Sequence, residues 1–394
     1  MSRYDQLENM YKKRKGGGWN PISCRRPPVN PQGNYSNILP RVEKASQVSV
    51  CGRSECQHDS LRSNIHVIVR IRPKNFNEKG PLHRTIVRAV GEHVVIFDPK
   101  EDSSENFYYH GIKQKSRNDY TKKPHKNLKF AYDRVYGPHN TNVEIFESSM
   151  KKLVAHILDG FNCSIFAYGA TGAGKTYTML GSIEHPGLTF FMAMELYSRI
   201  KGMANEYESE IVVSYLEVYN ETLRDLLHPS GILTIREDGF NGVNIPNLTM
   251  HKPKDASELL GMLSYGNSVR TQHPTDHNAE SSRSHAVFQV FVSLRKRFTH
   301  KSLKYKMAKA KLVMVDLAGS ERGLGPGCDS QRFREGANIN KSLLALSNCI
   351  NALADGKKHI PYRDSKLTRI LKDTLGGNCK TVMIANLSPS LKLG

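Results

Sequence analysis

Long apolar runs are missing. Nothing in the 394 residues is apolar over enough length to cross a bilayer, which excludes an integral membrane protein built on helices. Cysteine is sparse and irregular: Cys24, Cys51, Cys56, Cys163, Cys328, Cys349 and Cys379 lack the spacing of a disulfide framework. No secretory signal precedes them, so reduced thiols in a cytosolic protein are expected. Cys51, Cys56 and His58 lie close together, but no second ligand pair is spaced to complete a tetrahedral zinc site. Heptads are absent, so no coiled-coil dimer is evident. Acid is scarce as well: 37 Asp and Glu face 57 Lys and Arg, for a formal charge of +20. Such a field favours acidic partners, whether nucleic acid, anionic membrane or an acidic protein surface, and charge alone does not choose among them.

What is present falls into two regions. Residues 1–63 are poor in large apolar side chains and rich in Pro, Gly, Asn, Ser and basic groups, with Lys12, Lys13, Arg14 and Lys15 running into Gly16 to Gly18. Such a segment buries too little to offset its ordering entropy, so a disordered extension is expected. Its basic cluster fits an import signal, a polyanion tether or a plain solvated run. From Asn64 onward, strand and helix patterns alternate. Alternation predicts strands over Ile65 to Pro73, Val94 to Phe97, Phe130 to Tyr136, Ile211 to Val218, Ala286 to Leu294 and Lys311 to Asp316. Helical spacing marks Val143, Phe146, Met150, Leu153, Val154 and Ile157, then Phe190 to Ile200 and Ala256 to Leu263. A short helix is expected at Leu223 to Leu227, a hairpin within Pro229 to Pro246, and a glycine-bearing loop leading into a helix over Phe333 to Ala354. The order predicts one α/β domain with a largely internal sheet flanked by helices.

The run Ser164 to Thr178 is an apolar strand that stops at glycine and restarts as a helix, and Gly169 to Thr176 fit G-x-x-x-x-G-K-T. Gly169, Gly172 and Gly174 let backbone N–H groups approach a polyphosphate. The helix N-terminus adds partial positive charge, Lys175 a full one, and the Thr176 hydroxyl a ligand for Mg²⁺. On its own the pattern also fits a glycine-rich turn that carries a lysine.

Two later segments bear on that choice. Asn278 to His285 bring a cluster of hydroxyls ahead of a strand, the small oxygen ligands that Mg²⁺ and an attacking water require. Lys311 to Asp316 form an apolar strand ending in a carboxylate, followed by Leu317-Ala318-Gly319-Ser320-Glu321. Asp316 is placed to hold Mg²⁺ through water, and Gly319 to offer its N–H to a γ-phosphate.

Together, Gly169 to Thr176, Asn278 to His285 and Asp316 to Glu321 resemble the phosphate loop and the first and second switches of the kinesin motor domain. Arg70-Ile71-Arg72-Pro73 resembles that family's adenine-contacting strand end, and the likeness runs from about Asn64 to Ser390. Ala170 and Ala173, the stretch Arg270 to Asp276, and the basic loop introduced by Phe97 to Lys100 resemble the kinesin-8 group most.

The resemblance implies a P-loop NTPase fold over 64–394 and a microtubule-stimulated ATPase. It implies the head of a plus-end-directed motor that also shortens filament ends, located in the cytoplasm on microtubules, the spindle included. By the same resemblance Thr176 and Ser282 ligate Mg²⁺, Asp316 holds one of its waters, and Ser281 positions the attacking water. Arg283 and Glu321 form a closing ion pair, with Glu321 receiving the nucleophile's proton. Gly169, Ala170, Thr171, Gly172, Ala173, Gly174, Lys175 and Asn278 line the nucleotide, while Arg70, Arg72 and Pro73 lie at the adenine. Tyr177 stands where the family usually has histidine, and a phenol also stacks on a purine.

The implied track contact is the helix within Phe333 to Ala354 and the basic turn Lys357 to Arg369 that follows, facing the acidic surface of tubulin. The basic loop between Lys113 and Lys129, with seven Lys and Arg and one Asp, is a second contact. Arg295 to Lys311, with eight basic residues and no acidic one, is expected to be solvated. The chain ends at Gly394, before the family's last helix and neck linker, so it is expected to hydrolyse ATP without walking, and to dimerise only through regions outside it. Two other classes stand against this reading: a non-catalytic microtubule-binding protein that retains nucleotide, and a nucleic-acid-dependent ATPase suggested only by charge. The complete switch residues argue against the first, and the lack of aromatic-rich strand motifs against the second.

Overall fold

The computed structural model describes residues 64–78, 83–98, 107–109, 112–114, 128–182, 184–238, 242–271, 282–297, 307–321 and 330–392. Its centre is a nine-stranded mixed sheet. We number those strands in chain order: β1 (Ile65–Ile71), β2 (Arg134–Tyr136), β3 (Asn162–Tyr168), β4 (Tyr207–Tyr219), β5 (Thr222–Asp225), β6 (Ile232–Leu233), β7 (His285–Lys296), β8 (Met307–Asp316) and β9 (Cys379–Leu387). Across the sheet they run β6-β5-β4-β7-β8-β3-β9-β1-β2. The half from β8 to β2 is parallel. The other half, from β6 to β8, is antiparallel. Asp316 at the end of β8 lies in register with Ala167 near the end of β3. The carboxyl ends of parallel strands are where open α/β sheets leave room for ligands.

Helices cover both faces, and alternate strand residues face opposite layers. On one side α1, which passes through Asn142–Ile145, a π-turn at Phe146–Met150 and Lys151–Leu158, packs with α3 (Leu188–Gly202) and α4 (Ala256–Thr271). Thr141 starts α1 with a capping box to Glu144. The wider π-turn keeps both Phe146 and Met150 buried in this layer, beside Ile165 and Phe288. On the other side α5 (Ser330–Ala354), α6 (Lys366–Ile370) and α7 (Lys372–Leu375) close over Phe166, Val287, Val313 and Val315. The remaining helix, α2 (Lys175–Met179), directly follows the loop after β3. A small antiparallel sheet of Val87–Val90, Val94–Phe97 and Leu128–Ala131 packs with Val69, Ile71 and Val135.

Several sequence expectations change. Phe130 to Tyr136 is two strands in two sheets, because Asp133 turns the chain and ties itself to Val67, donating N–H to its carbonyl at 3.1 Å and accepting its N–H at 2.7 Å. Leu223 to Leu227 does not form a helix. Asn220 and Glu221 adopt left-handed φ of 48° and 55°, the geometry of a tight hairpin turn, and send Thr222–Asp225 back along β4. The glycine-bearing segment before α5 is helical from Ser330. Cys379–Leu387 adds a further strand, β9, between β3 and β1, which the alternation pattern does not predict. Lys311 is 7% exposed, not solvated, with its ammonium 5.3 Å from the Phe291 ring centre. The loop between Lys113 and Lys129, the extension 1–63 and the group Cys51, Cys56 and His58 lie outside the described residues, apart from Ile112–Gln114 and Leu128–Ala131 at the loop's ends. Among the described residues no helix is long and apolar enough to cross a membrane.

Candidate active site

The loop after β3 bends because three of its residues are glycines with positive φ: Gly169 at 148°, Gly172 at 78° and Gly174 at 93°. A Cβ on Gly169 would strike the Asn386 carbonyl of β9, so the close approach itself requires glycine there. Gly174 is the left-handed residue from which α2 starts. Lys175 opens that helix, almost buried, and its ammonium donates to the Ala170 carbonyl at 3.0 Å across the loop. Burial pushes its pKa down, against the opposing pull of Asp316 and Glu321.

The Thr176 hydroxyl donates to Asp316 Oδ2 at 2.8 Å. The same oxygen accepts from Arg270 Nη1 at 2.8 Å in a fully buried ion pair. Asp316 Oδ1 is buried with no hydrogen-bond partner among the described residues. An orphaned carboxylate oxygen beside a threonine hydroxyl is a hard-oxygen donor set, which suits Mg²⁺. Among the described residues no three His, Cys, Asp or Glu side chains cluster as a metal cage.

The second switch crosses the first at Gly319, whose N–H donates to the Ser282 carbonyl at 2.7 Å, while Ser320 N–H reaches the Gly169 carbonyl at 3.1 Å. The N–H expected to meet a γ-phosphate is therefore spent on the first switch in this structure. A Cβ at Gly319 would run into the Glu321 carboxylate and Thr171 Oγ1. Glu321 accepts from the Thr171 N–H at 2.9 Å and from its hydroxyl. What holds Glu321 here is thus the phosphate loop and not the implied ion pair with Arg283. Burial would raise the Glu321 carboxyl, but the Thr171 hydrogen bonds and the Lys175 charge bring it below the usual range. Ser282 and Arg283 are half-buried beside this crossing, and Asn278 and Ser281 lie outside the described residues.

On the far side of the loop, Tyr177 is exposed and its ring has the Arg70 guanidinium 5.2 Å from its centre. Arg70 is buried and donates to Asn142 Oδ1 at 2.5 Å and Thr178 Oγ1 at 2.8 Å. It backs the Tyr177 ring, so the two side chains form one unit at this end of the loop. Arg72 grips the loop: its Nε donates to the Gly172 carbonyl at 2.7 Å and its fork pairs with Glu78. Pro73 is exposed at the same edge.

Two side chains at the ends of the stretches Arg270 to Asp276 and Asn278 to His285 were given no role by the sequence patterns. Arg270, in the last turn of α4, is completely buried and also donates to Ser284 Oγ at 3.1 Å and the Ser284 carbonyl at 2.8 Å. It locks the start of β7 onto Asp316. His285 accepts the Ala318 N–H on Nδ1 at 3.0 Å, with Nε2 2.8 Å from the Ser342 hydroxyl of α5. Burial first, then Arg270 and Lys175, push its pKa down to about 3. An arginine and a histidine flanking the hydroxyl cluster were the available signals, but their burial depends on α4 and α5.

The opposite face of α5 presents Lys341, Leu344, Asn348 and Asn351 to solvent, with Leu344 62% exposed. Lys357, Lys358, His359 and Arg363 continue that surface, and Arg363 donates to Glu237 Oε2 at 2.9 Å. The basic turn is held from behind, where Ser365 caps α6 and Glu221 accepts the Lys366 N–H at 3.0 Å.

Comparison with known proteins bears on this arrangement. Residues 41–393 match the family described as the kinesin motor domain. The chain is 49% identical over 331 residues to mouse kinesin-like protein KIF18B, covering 83% of this chain and 39% of that protein. It is 49% identical over 336 residues to mouse KIF18A, with 84% and 37% covered. Against Arabidopsis thaliana kinesin-like protein KIN-8A it is 42% identical over 363 residues, with 92% and 48% covered. A solved structure of a fast kinesin superposes with a TM-score of 0.70 at 36% identity, covering 83% of this chain and 86% of that one. The chain therefore spans less than half the length of these curated relatives.

Proposed function

We propose, since this chain belongs to the kinesin motor-domain family, that it is the catalytic head of a kinesin-8-type motor, hydrolysing ATP in a reaction that microtubules stimulate. The observation that carries the reading is the convergence on Asp316. One carboxylate is anchored by Arg270, bonded to the Thr176 hydroxyl of the phosphate loop, and left with a buried oxygen unpartnered. Mg²⁺, when bound, would neutralise charge on the β- and γ-phosphates, with Thr176 and Ser282 as its ligands and Asp316 holding one of its waters.

The chain's own groups do the rest. Lys175 exchanges the Ala170 carbonyl for phosphate oxygens. Gly319 releases the Ser282 carbonyl and turns its N–H to the terminal phosphate. Glu321 leaves Thr171 for Arg283, closing both switches over the loop, and accepts the proton of a water positioned with Ser281. Tyr177, braced by Arg70, stacks on the purine with Pro73 at its edge. Phosphoryl transfer needs such positioning and charge stabilisation far more than covalent participation.

The outer face of α5 and the turn from Lys357 to Arg363 then meet the acidic surface of tubulin. Plus-end direction, shortening of filament ends and a place on the spindle belong to the same proposal, through the kinesin-8 likeness. The test is steady-state ATP hydrolysis by the purified chain with and without polymerised tubulin, beside a Lys175→Ala control. Turnover that tubulin raises and the control abolishes supports the reading. Nucleotide binding with turnover at the control's level under both conditions would mean a non-catalytic microtubule binder.

A further inference from the structure

The second switch and the long helix α5 are joined by a chain of hydrogen bonds that runs through one buried ring. Ala318 N–H points at His285 Nδ1, 3.0 Å away. A nitrogen that receives an N–H must carry the lone pair, so the ring proton sits on Nε2. Nε2 therefore donates to Ser342 Oγ at 2.8 Å, and the Ser342 hydroxyl spends its own proton on the Ile339 carbonyl at 2.7 Å. One tautomer and one direction satisfy every member. The ring is 2% exposed and Ser342 equally so, which leaves no solvent to replace a lost partner.

Position makes this more than a satisfied core histidine. Residue 285 opens β7, where its backbone pairs with Val218 of β4, so the ring swings from a fixed strand. One of its partners is the N–H of Ala318, next to Gly319, whose own N–H now goes to Ser282. The other partner lies on the inward side of α5, between the exposed residues Lys341 and Leu344 of the outer face. Turning the Ala318–Gly319 backbone to free Gly319 moves the N–H that His285 holds.

We propose that His285 is a positioning residue that transmits this turn to α5 through Ser342, coupling the state of the phosphate site to the helix's outer face. The inference rests on the reading given under the proposed function. Removing the Ser342 hydroxyl breaks the chain without touching the phosphate loop or the outer face.

The experiment compares the parent with Ser342→Ala and Ser342→Cys, which keeps the side chain's volume with only a weak hydrogen-bonding group. Microtubule affinity is measured by cosedimentation with ADP and with a non-hydrolysable ATP analogue, alongside thermal melting and tubulin-free turnover. The expected result is that both variants fold and keep tubulin-free turnover, while the ratio of the two affinities falls toward one by about two- to tenfold, the worth of one hydrogen bond. A purely structural hydroxyl would lower both affinities or the melting temperature and leave the ratio alone. Variants that retain the parent's ratio overturn the proposal, whereas a parent whose ratio is already one overturns the reading beneath it.

Discussion

Arg270→Met is the sharpest test of how the site is held together. The substitution keeps roughly the length of the buried side chain while deleting at least three hydrogen bonds, among them one to Asp316 and two to Ser284. The main cost is electrostatic. The Asp316 carboxylate is 5% exposed, and losing its guanidinium partner leaves a buried charge with the Thr176 hydroxyl as its remaining hydrogen-bond donor. Breaking one side of a buried ion pair costs about 3–5 kcal/mol, against a total stability of about 5–15 kcal/mol for a domain. Arg270→Lys keeps the charge but cannot reach Asp316 and Ser284 together, so it should lose about 1.5–3 kcal/mol, the worth of a charged hydrogen bond. Urea titration of the nucleotide-free chain reads both losses. Adding Asp316→Asn to Arg270→Met removes the stranded charge, so the double variant should be more stable than the sum of the single losses by about 1–3 kcal/mol. A loss under about 1 kcal/mol for Arg270→Met, or strict additivity in the double variant, would refute the view that this pair organises the site.

Three further predictions follow from other parts of the chain. His285 has a folded pKa of about 3, below the unfolded value of about 6.5, so the unfolded chain takes up the proton first and stability falls with pH across that interval. Between pH 6.5 and pH 5 this one group should remove about 2 kcal/mol, and urea titrations of His285→Gln should show a shallower decline. Glu321→Ala should leave ATP affinity within a few-fold of the parent while turnover drops by about 10²–10⁴, and equal losses in both would end its proposed role as proton acceptor. Tubulin binding through Lys341, Lys357, Lys358 and Arg363 should weaken steeply as salt rises to about 0.15 M, where exposed charges are screened over about 8 Å. Cosedimentation that is indifferent to salt would count against an electrostatic docking face.

The strand–loop–helix that carries the G-x-x-x-x-G-K-T pattern could be read in advance because it is local. Gly169, Gly174, Lys175 and Thr176 are near neighbours, and a strand, a glycine turn and a helix place them together before any long-range packing. Asp316 and Gly319 were legible for the same reason, as the end of one apolar strand and the turn that follows it. The expected likeness to the kinesin-8 group was borne out by the KIF18 and KIN-8 relatives. Elsewhere local pattern misled. Leu223 to Leu227 reads as a helix until Asn220 and Glu221 take left-handed backbone angles and fold it into a hairpin. Lys311 belongs to a basic run by composition, yet pairing with Phe291 places it under its neighbours.

Sequence alone decided the fold class, the strand–glycine–helix turn and which groups are proposed to meet a triphosphate, since each is written in consecutive residues with fixed backbone preferences. Tertiary structure alone decided which of those groups are already engaged. Glu321 rests on Thr171, Gly319 on Ser282, Asp316 on Arg270, and His285 bridges Ala318 to Ser342. Each of these contacts crosses at least 33 positions in the chain. No local pattern carries such distances. They exist because the start of β7 and the ends of β8 and β3 lie side by side at one end of the sheet, where burial favours partnered polar groups and leaves Asp316 Oδ1 as a marked exception among the described residues.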